Sequence, residues 1–329
     1  MAWSMIESGP LRLRQNLPIS FLVSLLFGFA VAVMPWEQIH GATFVDREVY
    51  FSIFRAAPDI SISFELVSLL AYVLNEQFWS QSIRWCHSAL GMSLPEIFAV
   101  ITFASTFSYA FFISSRVGPL AIILLVNPLL VDLVYSQLRM SLAMVFLLAA
   151  YSCRQLVLVI LFASIACFLH TASFLFIFMT LSIVFSVRLA ERYDLSRISS
   201  YVLIVWTGLL IALIVGPLRG IILENLGDRR AVYDAPATTW SYASIWVFIL
   251  MAACIQTKLF FREHTNAIAL TFLSVYTFCT LFSVYGLRFL SAALPFFIVA
   301  LCRFGTIERS LVILLFAAYS VLQWLYWIN

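Results

Sequence analysis

Residues 118–151 read GPLAIILLVNPLLV DLVYSQLR MSLAMVFLLAAY, a polar cluster from Asp132 to Arg139 between two uncharged apolar runs. Each run is long enough to be half of a membrane helix. A charge at bilayer depth is expensive, about 2.5–3.5 kcal/mol at a helix centre on insertion scales. Asp132, Tyr135, Ser136 and Arg139 are spaced i, i+3, i+4, i+7, which predicts one face of one continuous helix. One span later His170 interrupts the apolar run Leu156–Val187. An Asp132–Arg139 pair that only neutralises itself and fixes helix packing is the plainer reading. The cost of placing these groups favours a functional one.

The rest of the chain agrees with a membrane setting. Hydrophobic residues make up 63% and charged residues 11%, against roughly a quarter charged in soluble domains. Mean hydropathy is +1.02. No polar stretch exceeds a connecting loop, so 1–329 is expected to form a single transmembrane domain. Arg12 and Arg14 precede the apolar Ile19–Met34, but no small-residue cleavage site follows, which predicts a retained first span. The six cysteines are scattered through apolar runs with no metal-ligand spacing.

The fold expected is all-α and polytopic, with about eleven transmembrane helices at the ~20 residues each requires. These fall near 17–36, 95–115, 117–134, 138–153, 155–170, 172–187, 199–218, 240–257, 266–284, 287–302 and 310–327. Ile60–Phe78 is interrupted by Glu65 and followed by Asn75-Glu76-Gln77, and reads as a short interfacial or re-entrant helix. Charge bias supports that reading. If this segment does not cross, eleven of the nineteen basic residues but only five of the sixteen acidic ones are cytoplasmic. If it crosses, Arg188, Arg192 and Arg197 move outside.

In this topology the unusual residues share the outer side. The Asp132–Arg139 cluster and His170 lie at outer helix ends, and Arg288 opens a late span. The long hydrophilic loops, within 37–94 and 219–239, also face outward. The first carries Asp46-Arg47-Glu48-Val-Tyr50, in which Arg47 reads as solvated with its acidic neighbours. The second carries Asp228-Arg229-Arg230-Ala-Val-Tyr233. Orientation statistics do not account for arginines on this side, whereas an anionic substrate would. Arginine's planar fork binds phosphate oxygens in pairs and keeps its charge. Aromatic faces suit sugar rings. No glycine-rich phosphate loop and no D-x-D metal pair is present, so no metal or cofactor is expected. In a glycosyl transfer, arginine would stabilise the departing diphosphate, and a carboxylate or histidine would take the attacking hydroxyl's proton.

The chain resembles the EpsG/Wzy-type polysaccharide polymerases of bacterial envelopes, on islands spread over most of its length. The strongest is Asp132…Gln137-Leu-Arg139-Met-Ser-Leu-Ala143, similar to that family's N/Q-x-R-x-x-x-A element. Asp46-x-x-x-Tyr50 followed by Glu65 looks like its first outer loop. Phe168-Leu-His170-Thr-Ala-Ser173 is similar to its F-H-x-S turn. Arg229 and Arg230 with Tyr233, and Arg288 with Phe289, complete the set.

The resemblance implies an oligosaccharide repeat-unit polymerase at the periplasmic face of the bacterial inner membrane. It would join undecaprenyl-diphosphate-linked oligosaccharides, releasing undecaprenyl diphosphate without metal or nucleotide sugar. Membrane lipids, a flippase and a chain-length regulator are the partners such a setting implies, and nucleic acid is not one. On this reading Arg139 and Arg288 contact the diphosphate, His170 and Asp46 are rival bases, and Asp132 orients Arg139 or the acceptor. Gln137, Arg229, Arg230, Tyr233, Tyr50 and Glu65 would bind substrate. The hydropathy also fits a lipid-linked sugar flippase or an O-antigen ligase. A transporter is expected to show internal repeats and broken midplane helices. A ligase is expected to carry a larger outer domain than 219–239.

The topology has a direct check. Cysteine labelling is expected to reach position 196 only from the cytoplasm, and positions 235 and 329 only from outside. Labelling of 329 from the cytoplasm alone would refute an eleven-span arrangement.

Overall fold

The computed structural model describes residues 16–56, 72, 76–221 and 240–328. Every element among them is helical, with no strand. The helices are α1 (Leu17–Val33), α2 (Trp36–His40), α3 (Val45–Ala56), α4 (Gln77–Leu90), α5 (Leu94–Val117), α6 (Pro128–Val131), α7 (Leu138–Ser152) and α8 (Leu156–Leu169). There follow α9 (Ala172–Arg192), α10 (Arg197–Val215), α11 (Trp240–Ala253), α12 (Lys258–Arg262), α13 (His264–Leu281), α14 (Leu287–Cys302) and α15 (Thr306–Ile328). The described residues between α1 and α5 are therefore largely helical, in α2, α3 and α4. Most of the proposed interfacial segment, Glu65 included, lies outside the described residues, as does 222–239 with Arg229, Arg230 and Tyr233.

Four helices, α5, α9, α10 and α15, are long and apolar enough to cross a membrane. The apolar window of α15 is only 22% buried, and those of α9 and α10 only 33%. Such surfaces are costly in water and at home in hydrocarbon, as in a multi-pass membrane protein. Other apolar helices are shorter. At 1.5 Å per residue, α7 with its 15 residues rises ~22 Å, short of a hydrocarbon core of ~30 Å.

The predicted straight span 117–134 is broken. A 3₁₀ helix, Pro119–Leu125, meets Pro128–Ser136 at 80°. The cause is local. Asn127 precedes a proline, which disfavours helical backbone there. It is extended at φ −144°, ψ 139°, and its side chain accepts from the Leu129 N–H at 2.8 Å, capping the second piece.

The single amphipathic face expected for Asp132–Arg139 is also corrected. Asp132–Ser136 form a π turn, closed by the Gln137 N–H donating to the Asp132 carbonyl at 3.1 Å. Gln137 then leaves helical geometry (φ −86°, ψ 54°), and Arg139 begins a new helix. Thr102 of α5 donates to the Val134 carbonyl at 2.9 Å, satisfying backbone that the π turn displaces.

The chain divides into two compact units, Met1–Ile177 with Val321–Asn329, and Phe178–Ser320. In the first, α1 packs on α5 through small residues. A Cβ on Gly28 would lie 3.2 Å from Phe107, and the Ser24 and Ser114 hydroxyls bond at 3.1 Å. Small residues and buried hydroxyls are how apolar helices associate when lipid removes the hydrophobic incentive.

The second unit is built around α13, buried along most of its length. Trp246 of α11 packs on Tyr276, Phe297 and Phe316, its Nε1 donating to the Tyr319 hydroxyl at 3.1 Å. Asp194, between α9 and α10, takes Lys258 Nζ at 2.5 Å and Arg262 Nη2 at 2.7 Å. Charge bias also puts these two loops on one side.

The tightest helix approach gives a stability prediction. A Cβ on Gly208 of α10 would fall 2.4 Å from the Ser274 Cβ of α13, whereas one on Gly220 meets nothing within 4 Å. Gly208→Leu should destabilise the protein by at least the ~1–3 kcal/mol of core overpacking, and Gly220→Leu by far less. Thermal midpoints in detergent check this, and equal midpoints would remove the close α10–α13 packing.

Candidate functional site

Helices α7 and α8 are antiparallel neighbours joined by three residues, so the start of α7 and the end of α8 lie at one end of the hairpin. Arg139 is in the first turn of α7, and His170 is the residue at which α8 stops. A cation at a helix N-terminus opposes the helix dipole, so Arg139 needs an anion nearby. That anion is Glu76. Its carboxylate is bound by Arg139 Nη1 through Oε2, and by His170 Nδ1 at 2.5 Å through Oε1. The Thr171 N–H and hydroxyl also donate to Oε1, each at 3.2 Å. Glu76 side-chain exposure is only 8%.

Glu76 lies just ahead of α4. Burial pushes its pKa up, but the His170 hydrogen bond, the charges of His170 and Arg139 and the Thr171 N–H prevail and hold it at about 2. An ionised carboxylate only accepts, so His170 Nδ1 carries the proton of that bond. Its Nε2 has no partner among the described residues. The backbone of Glu76 is left-handed, φ 52° and ψ 39°, costing a non-glycine residue ~1–2 kcal/mol. The ion cluster holds it there.

Tyr50 of α3 is the fourth member. Its hydroxyl accepts from Arg139 Nε at 3.0 Å, and the guanidinium carbon lies 5.3 Å from its ring centre. Burial raises the Tyr50 pKa despite the Arg139 charge, keeping the phenol protonated. Trp79 and Phe98 wall the ring at 5.8 and 6.2 Å. The Arg139 side chain remains 34% exposed, with Nη2 unpartnered among the described residues.

The sequence-predicted residues divide as follows. Arg139 and His170 converge on Glu76, and Tyr50 joins them through Arg139. Asp46, one turn before Tyr50, acts electrostatically on both Tyr50 and Arg139. Asp132 does not orient Arg139 along one helix face, because the π turn separates them. It accepts from Gln137 Nε2 at 2.7 Å instead, leaving Gln137 Oε1 buried without a hydrogen bond. Arg288 belongs to the second unit, in the first turn of α14, with its guanidinium 5.8 Å from the Tyr285 ring. Glu65, Arg229, Arg230 and Tyr233 lie outside the described residues.

Two residues were missed. Glu76 was passed over as part of a polar break, although an acid able to neutralise Arg139 and His170 was required somewhere. Arg47 was read as solvated, yet it is 7% exposed. Its guanidinium lies on the Tyr135 ring at 3.9 Å.

The Glu76 cluster carries an acid-stability signature. The carboxyl protonates near its ordinary 4.5 when unfolded and near 2 when folded. Its ionised form therefore stabilises the protein fully above pH ~4.5, and that contribution is lost as pH falls from 4.5 toward 2. Glu76→Gln should lower the thermal midpoint at pH 7 and flatten its dependence on pH in that window. A variant with the wild-type midpoint and acid profile would show the cluster to be energetically idle.

No family model, curated protein or solved structure matches this chain, so its function is read from the chemistry of the site.

Proposed function

We propose that this chain is a membrane glycosyltransferase of the EpsG/Wzy kind, polymerising undecaprenyl-diphosphate-linked oligosaccharide repeats at the periplasmic face of the bacterial inner membrane. The proposal includes eleven crossings, with the short helices reaching full thickness through their polar ends, and a cytoplasmic N-terminus. The observation that carries it is the shared carboxylate. Arg139 and His170, two groups that are expensive in apolar helices, are held by one buried Glu76. Each keeps an unengaged nitrogen, Nη2 and Nε2.

In the proposed reaction an acceptor sugar hydroxyl attacks the anomeric carbon of the growing chain. The bond from that carbon to the diphosphate oxygen breaks, and undecaprenyl diphosphate leaves with the electron pair. Glu76 fixes the His170 tautomer through Nδ1, so neutral His170 takes the hydroxyl proton on Nε2. This is the nucleophile–base–orienting acid arrangement used in acyl transfer, with a sugar hydroxyl as nucleophile. Arg139 Nη2, the Tyr50 phenol and the positive N-terminal end of α7 face negative charge growing on the leaving group. At the polar end of the α7–α8 hairpin this chemistry would be within reach of a lipid-borne diphosphate.

The test is turnover with purified protein and a lipid-linked repeat. His170→Ala should keep donor binding while polymerisation falls by about 10²-fold or more, the scale of acid–base catalysis. Arg139→Lys, which lacks the planar fork, should shorten or abolish polymer at matched protein levels. Normal turnover in His170→Ala beside a dead Asp46→Asn would move the base to Asp46. Normal turnover in both would eliminate a side-chain base, and normal polymer from Arg139→Lys would eliminate the diphosphate role of Arg139.

A further inference from the structure

Arg47 is buried, with 8% side-chain exposure, yet its Nε and Nη1 atoms make no hydrogen bond among the described residues. The nearest carboxylate oxygen, Glu37 Oε1, stands 3.6 Å from Nε, beyond hydrogen-bond reach, on a side chain that is 40% exposed. What Arg47 does have is aromatic surface. Its guanidinium carbon is 3.9 Å from the Tyr135 ring centre, 5.4 Å from that of Phe98 and 5.6 Å from that of Phe51. Rings satisfy the flat faces of a guanidinium and leave its N–H edges unserved. A buried charged donor without an acceptor is costlier than a neutral one. It is tolerable where a ligand supplies the missing oxygen.

The position of Arg47 indicates which ligand. Arg47 and Tyr50 are one turn apart on α3, and both rest against Phe98. Tyr50 in turn bonds Arg139. The two arginines thus stand on one continuous aromatic floor, Phe98 and Tyr50. They differ in charge balance, since Arg139 is bonded to a buried carboxylate whereas the acid beside Arg47 is solvent-exposed and out of bonding range.

We propose that Arg47 is a second anion-binding side chain of this site, donating to a phosphoryl oxygen of a lipid-linked diphosphate. This rests on the polymerase reading above and adds to it a second guanidinium for the diphosphate. Tyr135 and Phe98 hold the guanidinium flat, so its edges are set before the ligand arrives.

The experiment is binding of undecaprenyl diphosphate to the full chain in phosphatidylcholine nanodiscs, with inorganic pyrophosphate and undecaprenol as competitors. Arg47→Lys keeps the charge and the contact with Tyr135 but loses the fork. It should weaken binding about tenfold, the scale of one charge-assisted hydrogen bond, and Arg47→Met should weaken it further. The thermal midpoint without ligand should be nearly unchanged in Arg47→Lys. Competition by pyrophosphate but not by undecaprenol assigns the contact to the phosphoryl groups, and competition by undecaprenol alone overturns it. Wild-type affinity in both Arg47 variants, beside loss in Arg139→Lys, overturns this inference and leaves the polymerase reading standing. Failure of the wild-type protein to bind the lipid or pyrophosphate overturns both. Loss of folded protein in Arg47→Lys as well as Arg47→Met makes Arg47 a packing residue and overturns the inference.

Discussion

A single buried carboxylate sets the terms for the end of the α7–α8 hairpin where α7 begins and α8 stops. Arg139 stands where a helix N-terminus already carries partial positive charge, and His170 stands where an apolar helix stops. Glu76 answers both, accepting one bond from the guanidinium, one from the imidazole and two from Thr171. Removing one partner of such a cluster strands the others in a poorly solvated place, which is why broken buried pairs cost more than intact ones contribute. The segment leading into α4 is therefore tied to the hairpin, and the left-handed backbone at Glu76 is sustained by side-chain bonds.

The irregular backbone ahead of α7 follows from the same requirement. A continuous helix from 118 to 151 would carry Asp132 and Arg139 through the apolar layer on one face. The chain breaks at Asn127-Pro128 and loosens into a π turn at Asp132–Ser136, so the polar groups leave the helical repeat near the end of the hairpin. Each break is compensated locally, by the Asn127 cap, the Gln137–Asp132 bond and the hydroxyl of Thr102. Non-helical backbone is tolerated at membrane depth only where protein or water covers it, and α5 covers this one.

This division explains what was legible in the sequence. Arg139 and His170 stood out because a polar group in an apolar run has few explanations, and the helix positions could be read from hydropathy. Tyr50 was named through the family resemblance, in Asp46-x-x-x-Tyr50. Glu76 was obscured because Asn75-Glu76-Gln77 looks like any connecting loop, and its partners are 63 and 94 positions away. Arg47 was obscured because a charge between Asp46 and Glu48 reads as solvated, whereas the fold turns it onto Tyr135. The one-face expectation failed because a 3.6-residue period says nothing of a π turn. The bounds of α7 and α8 were legible too, since the spans expected at 138–153 and 155–170 differ from the helices by one residue at an end.

Charge counting links the two arginines. With Glu76 ionised, the Arg139–Glu76 pair is neutral. Such a cluster can orient a diphosphate through directed hydrogen bonds but cannot offset its charge. The α7 N-terminus contributes roughly half an elementary charge, well below what a diphosphate needs in a weakly solvated site. Among the described residues the second guanidinium on this floor is Arg47, whose paired acid Glu37 is 40% exposed and screened by solvent. In the proposed reaction the neutral pair would serve direction, His170 proton transfer and Arg47 attraction. Fusing the two roles in one residue would force a choice between a charge that binds the diphosphate too firmly to release it and a pair that binds it too weakly to align it.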